Sequence, residues 1–183
     1  MVSVVVILAI GSAAWAVLHD DVIDCESIRT GIGRENPLGS GKLASVEIAT
    51  RDFQTPIYRP SSELASDETI EKVWMDDSQV YIEYESGASI DVERARPDFT
   101  IGDLAAGQMS DGVPGQRVEV GGVLAFAVPA TAQECFGGSV TFDIGDAHVS
   151  LIGDDDYSFD ELLAAAATIV DRAEEVETAW RSS

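Results

Sequence analysis

Asp143 and His148 stand close together in the segment SVTFDIGDAHVSLIG (residues 139–153), with Ser139, Thr141 and Ser150 as neighbours. A carboxylate, an imidazole and a hydroxyl are the parts of a nucleophilic hydrolase, in which the carboxylate orients the base and the base activates the hydroxyl. The local pattern argues for something plainer. Gly145-Asp146 reads as a two-residue hairpin turn, which sets Asp143 opposite His148, Phe142 opposite Val149 and Ile144 opposite Ala147. The Asp143–His148 pair then lies on the face away from Phe142, as an ordinary cross-strand contact. No G-x-S-x-G elbow is present, and a regular hairpin offers no oxyanion hole.

The acidic run Asp154, Asp155 and Asp156, with Asp160 and Glu161, could offer oxygen ligands to a hard cation such as calcium. The EF-hand spacing fails, because Phe159 takes the position that needs glycine and Ala165 the one that needs glutamate. Carboxylates ahead of a helix also favour its N-terminus with no metal at all. His19 and His148 make no zinc set with the cysteines. Gly31-Ile32-Gly33 is half a nucleotide fingerprint with the wrong continuation. Trp74, Tyr81, Phe126 and Trp180 fit core or sheet-face positions better than a ligand box. The expectation is a protein that is not an enzyme, with no catalytic, cofactor-binding or metal-binding residues and no cofactor.

Cys25 and Cys135 are an even pair without C-x-x-C spacing. A Cys25–Cys135 disulfide would close a loop of about 110 residues, which chain entropy values at roughly 4–5 kcal/mol. Two reduced, buried thiols are the alternative. Residues 1–18, MVSVVVILAIGSAAWAVL, carry no charge, and His19, Asp20 and Asp21 end the run. At 1.5 Å per residue the run spans about 27 Å, enough for a thin bilayer core, and Trp15 fits an interfacial anchor. Ala14-Trp15-Ala16 has the form of a signal-peptidase site, so a cleaved signal peptide is the alternative. Either way the remainder is exported: a single-pass membrane protein with its C-terminal domain outside the cytoplasm, or a secreted one.

With 33 acidic against 11 basic side chains, the net charge is −22. That excludes roles that require neutralising phosphates, so nucleic acid is not a partner. The partners expected are the membrane, through residues 1–18, and a protein outside the cytoplasm.

The elements that position these groups follow from hydrophobic period. Residues 19–45, rich in glycine, read as a tether and irregular lead-in, and residues 46–183 as one α+β domain. VEIATRDF (46–53) alternates and is expected to be the first strand. Residues 70–75 form a strand that turns at Asp76-Asp77-Ser78. In VYIEYESGASIDV (80–92) a three-residue loop of Ser86, Gly87 and Ala88 pairs Tyr84 with Ile90 and Ile82 with Val92. Residues 100–109 are expected to be a short helix. RVEVGGVLAFAV (117–128) is a Gly-Gly hairpin whose second strand is apolar on both faces and therefore central. In YSFDELLAAAATIVDRAEEVETAW (157–180), Ser158 and Glu161 form a capping box and Tyr157 staples onto Leu162. Leu162, Ala166, Ile169, Ala173, Val176 and Trp180 make one stripe, with Glu174, Glu175 and Glu177 turned away. The result is an antiparallel sheet of hairpins with one face against a C-terminal amphipathic helix, preceded by an N-terminal membrane helix.

Between residues 45 and 171 this order resembles an uncharacterised extracytoplasmic bacterial domain family, found at the C-termini of anti-sigma-factor-like and sporulation-associated membrane proteins. The segments VYIEYESGASIDV, RVEVGGVLAFAV, SVTFDIGDAHVSLIG and YSFDELLAAAATIV carry the resemblance, and ATRDFQTPIYRP matches the family's proline-containing approach to the domain. The resemblance implies a small α+β sensor-like or interaction domain with no agreed catalytic residues. The function expected is a non-catalytic, membrane-anchored extracytoplasmic interaction domain. The alternative is a carrier of an apolar ligand or lipid between sheet and helix, for which the small side chains at 164–167 would leave room.

Overall fold

The structure, a computed structural model, describes residues 36–39, 41–60, 69–96, 100–110, 115–130, 137–154 and 157–182. Residues 1–18, Cys25, Cys135, Asp155 and Asp156 lie outside them, and with them the expected anchor and disulfide. Among the described residues no helix is long and apolar enough to cross a membrane.

Period-2 sequence makes the strands. β1 (Lys42–Leu43), β2 (Ile70–Met75), β3 (Gln79–Tyr84) and β4 (Ser89–Arg94) form one meander. β5 (Gln116–Val120), β6 (Val123–Val128), β7 (Ser139–Ile144) and β8 (Ala147–Ile152) form a second. The two meet at β4 and β8, giving one eight-stranded antiparallel sheet of order β1-β2-β3-β4-β8-β7-β6-β5. The fold is α+β, as expected. β1 shows that the sheet starts inside the segment read as tether.

One face of the sheet holds the main core. Val80, Ile82, Ile90, Val92, Val140, Phe142 and Val149 on it are all fully buried. Over it lies α3 (Phe159–Asp171), which contributes Leu162, Ala165, Ala166 and Ile169. The capping box forms: the Ser158 hydroxyl accepts the Glu161 amide at 3.2 Å, and the Glu161 carboxylate accepts the Ser158 amide at 2.8 Å. The chain leaves helical dihedrals at Arg172 (φ −99°, ψ 1°) and continues as α4 (Ala173–Arg181). Glu177 does not turn away as expected. Its Oε1 accepts the hydroxyl of the fully buried Tyr58 at 3.2 Å and its Oε2 the Arg181 guanidinium at 2.8 Å, which fastens α4 to the chain before β2.

Three expectations are corrected. Residues 46–53 are not a strand: Val46–Asp52 is a helix, α1, capped by Ser45, whose hydroxyl accepts the Ile48 amide at 3.3 Å. A short run such as V-E-I-A-T-R-D-F satisfies both periods, and packing selects the helical one by burying Ala49 and Phe53 together. The β3–β4 loop is Glu85-Ser86-Gly87, with Gly87 in the left-handed region (φ 87°) and Ala88 already returning to Tyr84 at 3.0 Å. Ile82 therefore faces Ile90 and Val80 faces Val92, a shift of two residues that leaves every side chain on its expected face. The third correction concerns the second face of the sheet, which is not left bare. α2 (Ile101–Ser110) crosses it, and Ile101 and Ala105 bury Phe126 to 2% exposure in a separate small cluster. The two-sided apolarity of β6 is explained at Phe126, while Leu124 stays 48% exposed.

Candidate functional site

Alternate residues of the central strands point to the outer face, away from α3. They are Gln79, Tyr81 and Glu83 from β3, Asp91 and Glu93 from β4, His148 and Ser150 from β8, and Thr141 and Asp143 from β7. Cross-strand pairing aligns them into rows: Tyr81–Asp91–Ser150–Thr141 and Gln79–Glu93–His148–Asp143. α2 covers the neighbouring strands and leaves a cleft of about 240 Å³ along its flank. Ile101 and Leu104 form its apolar wall, Asp91 and Glu93 the acidic side, Thr141, His148 and Ser150 the base, and Arg96 the rim.

The Asp143–His148 contact is present in the expected register, between His148 Nδ1 and Asp143 Oδ1. It is no exposed surface pair, since His148 is only 8% exposed. Asp143 Oδ2 accepts the Ile101 amide at 3.0 Å, at the start of α2, and His148 Nε2 accepts the Arg96 amide at 3.4 Å. An imidazole that accepts at Nε2 keeps its proton on Nδ1, facing Asp143. The Ser150 hydroxyl is bonded to Thr141 Oγ1 at 3.0 Å. The pair is thus arranged as a clamp: it holds the chain after β4 and the first turn of α2 down onto the sheet. Gly145, in the turn beside it, has φ 54°, as a two-residue hairpin with glycine first requires.

Asp91 is the residue that sequence reasoning missed. Gln79 Nε2 donates to its Oδ2, while its Oδ1 is sealed from solvent and has no hydrogen-bond partner. Burial pushes the carboxyl from 3.8 up to about 7; the Gln79 bond opposes the rise, and the charges of Glu93 and Asp76 add to it. Glu93 itself pairs with the rim, its Oε1 3.5 Å from Arg96 Nε. The one sequence signal was a lone acid at the centre of SIDVE, an outward position flanked by apolar ones.

Of the acidic run ahead of α3, Glu161 is committed to the helix cap. Among the described residues no group of three or more His, Cys, Asp or Glu side chains is placed to hold a metal ion. Ala165 and Ala166 are 4% and 0% exposed and share one core cluster with Val140, Phe142 and Leu151. The small side chains bring α3 close to the sheet. Compared with known proteins, the chain matches no protein-family model, no curated protein and no solved structure.

Proposed function

We propose that the chain is a non-catalytic interaction domain with a sensor-like site, anchored to the membrane through residues 1–18 and facing outward, and that its recognition surface is the outer-face cleft. The observation that carries this reading is Asp91, a carboxylate sealed into the sheet face with one oxygen unpartnered. Folding alone gives no reason to keep it there, because an uncompensated buried charge opposes folding. Local rules are broken chiefly where function requires it. The non-catalytic part of the reading is supported by His148, whose Nε2 meets a main-chain amide, and by the Ser150 hydroxyl, which is bonded to Thr141. The outward orientation is supported by the uncharged opening segment and by the acidic domain that follows it.

A photoreactive amino acid at Leu104, on the cleft wall, tests the interaction reading in intact producing cells. Irradiation should give one discrete crosslinked species containing a second protein, absent when the photoreactive residue replaces Glu174 on α4. Uncrosslinked chain at both positions, or the same ladder from both, refutes the reading.

A further inference from the structure

The geometry points to an alkylammonium group as the ligand of the outer-face cleft, presented as a lysine side chain of the partner protein. This deepens the interaction reading and rests on it. A site whose central group is an anion lacking one partner calls for a donor that brings positive charge. The described chain does not supply one. Arg96, the one cation lining the cleft, sits at its rim against Glu93, and Lys72 on β2 is engaged by Glu71 at 3.0 Å and Glu83 at 3.6 Å.

The shape selects among cations. Ile101 and Leu104 line one side, where a methylene stem would lie, and the oxygens of Asp91, Ser150 and Thr141 are the acceptors beneath. An ammonium has three donors and no acceptor, which suits a carboxylate and two hydroxyls. A guanidinium prefers both oxygens of one carboxylate, and Gln79 already occupies Asp91 Oδ2. A metal ion would need more anionic ligands than the described residues bring together. The volume of about 240 Å³ lies below the roughly 300–1,000 Å³ usual for whole small-molecule ligands and suits the end of one side chain. The charge of −22 draws a basic partner in from a distance.

The binding carries its own pH signature. The groups facing Asp91 are Gln79 from β3, Asp76 in the β2–β3 turn, Glu93 on its own strand, Arg96 beyond it and His148 from β8. With the carboxyl near 7, its ionised fraction rises from about one-tenth at pH 6 to about nine-tenths at pH 8, and the apparent affinity for a cation rises about tenfold.

The test is NMR titration of the isotope-labelled full-length chain in non-ionic detergent. The probes are a blocked lysine peptide, its norleucine counterpart and n-butylammonium. Saturable shifts at Ile101, Leu104 and Ser150 are expected with the lysine peptide, about tenfold weaker at pH 6 than at pH 8. They should vanish in Asp91→Asn, weaken in Thr141→Val and persist in Glu174→Gln. Equal binding of the norleucine peptide, or lysine binding that survives Asp91→Asn, overturns the proposal. n-Butylammonium binding as tightly as the lysine peptide overturns its partner-protein source. Should the Leu104 crosslink form while the lysine peptide fails to bind, the ligand assignment falls and the interaction reading stands; the converse pattern refutes the interaction reading and leaves the ammonium site.

Discussion

Asp91→Asn removes the charge from the cleft while keeping the side chain's shape and its acceptor for Gln79. Asp91 ionises near 7 in the folded chain and close to 3.8 when exposed. At 1.36 kcal/mol per pH unit, the fold opposes the ionised form by about 4 kcal/mol at most. Partial solvent access at this half-buried position reduces that to about 1–3 kcal/mol. The folded value is the raised one, so below pH 4 both states are protonated and the carboxyl costs nothing. Stability then falls as pH climbs from 4 through 7, and the whole penalty is present at pH 8. The variant should therefore match the parent at pH 4 and gain about 1–3 kcal/mol at pH 8, which raises Tm by roughly 2–12 °C for a chain of this size. Urea unfolding of the detergent-solubilised full chain, followed by tryptophan fluorescence at pH 4, 6 and 8, reads both quantities. A difference between variant and parent that does not change with pH would refute the reasoning, because a constant offset reports packing and not ionisation.

The clamp makes a separate prediction: Asp143→Ala should remove the acceptor of the Ile101 amide and loosen the start of α2 at a cost of about 1.5–3 kcal/mol, seen as faster hydrogen exchange in residues 101–106 with the β2–β3 hairpin unchanged. Gly145→Ala should cost at least about 1 kcal/mol in thermal unfolding, since an added Cβ would lie 2.8 Å from Glu177 Oε1 and 2.9 Å from the Tyr58 hydroxyl at a positive φ. Ser158→Ala should destabilise the chain by about 1 kcal/mol through loss of the α3 cap, measured by urea midpoint at constant slope. Non-reducing peptide mapping of protein from its native compartment should recover Cys25 linked to Cys135, and two freely alkylated thiols would rule the disulfide out.

The hairpins were legible because their information is local. In residues 139–153 the turn pair and the alternation of Val140, Phe142, Val149 and Leu151 fix one register, and the structure has it. In residues 157–180 the capping box and a stripe at spacings of four and three leave little besides a helix, though not the break at Arg172. Where the signal was short it failed. Val46, Ile48 and Thr50 alternate, yet Val46, Ala49 and Phe53 also share a helical face, and only the core against which Ala49 and Phe53 pack decides between them. In the β3–β4 loop, sliding the turn by one residue changes no face, so hydrophobic pattern has no power to set it; the left-handed Gly87 does.

The site was illegible for a different reason. Asp91, Ser150 and Thr141 are neighbours only because β4 pairs with β8 and β8 with β7, and the first of these contacts joins two meanders that are distant in sequence. The cleft then exists because α2, on its way from β4 to the far edge at β5, settles over Phe126 and leaves the flank above Asp91 uncovered. Read along the chain, Asp91 is an outward-facing acid on a strand, and outward acids are normally solvated. Its burial is created by α2 and the neighbouring strands, and its missing partner by the engagement of Arg96 with Glu93 and of Lys72 with Glu71 and Glu83. The Asp143–His148 pair shows the opposite case. It was visible in the sequence and suggested chemistry, yet its nitrogens and oxygens are spent on holding Arg96 and Ile101 in place. That clamp is what keeps α2 at the distance that makes a cleft, so the conspicuous pair serves the inconspicuous acid.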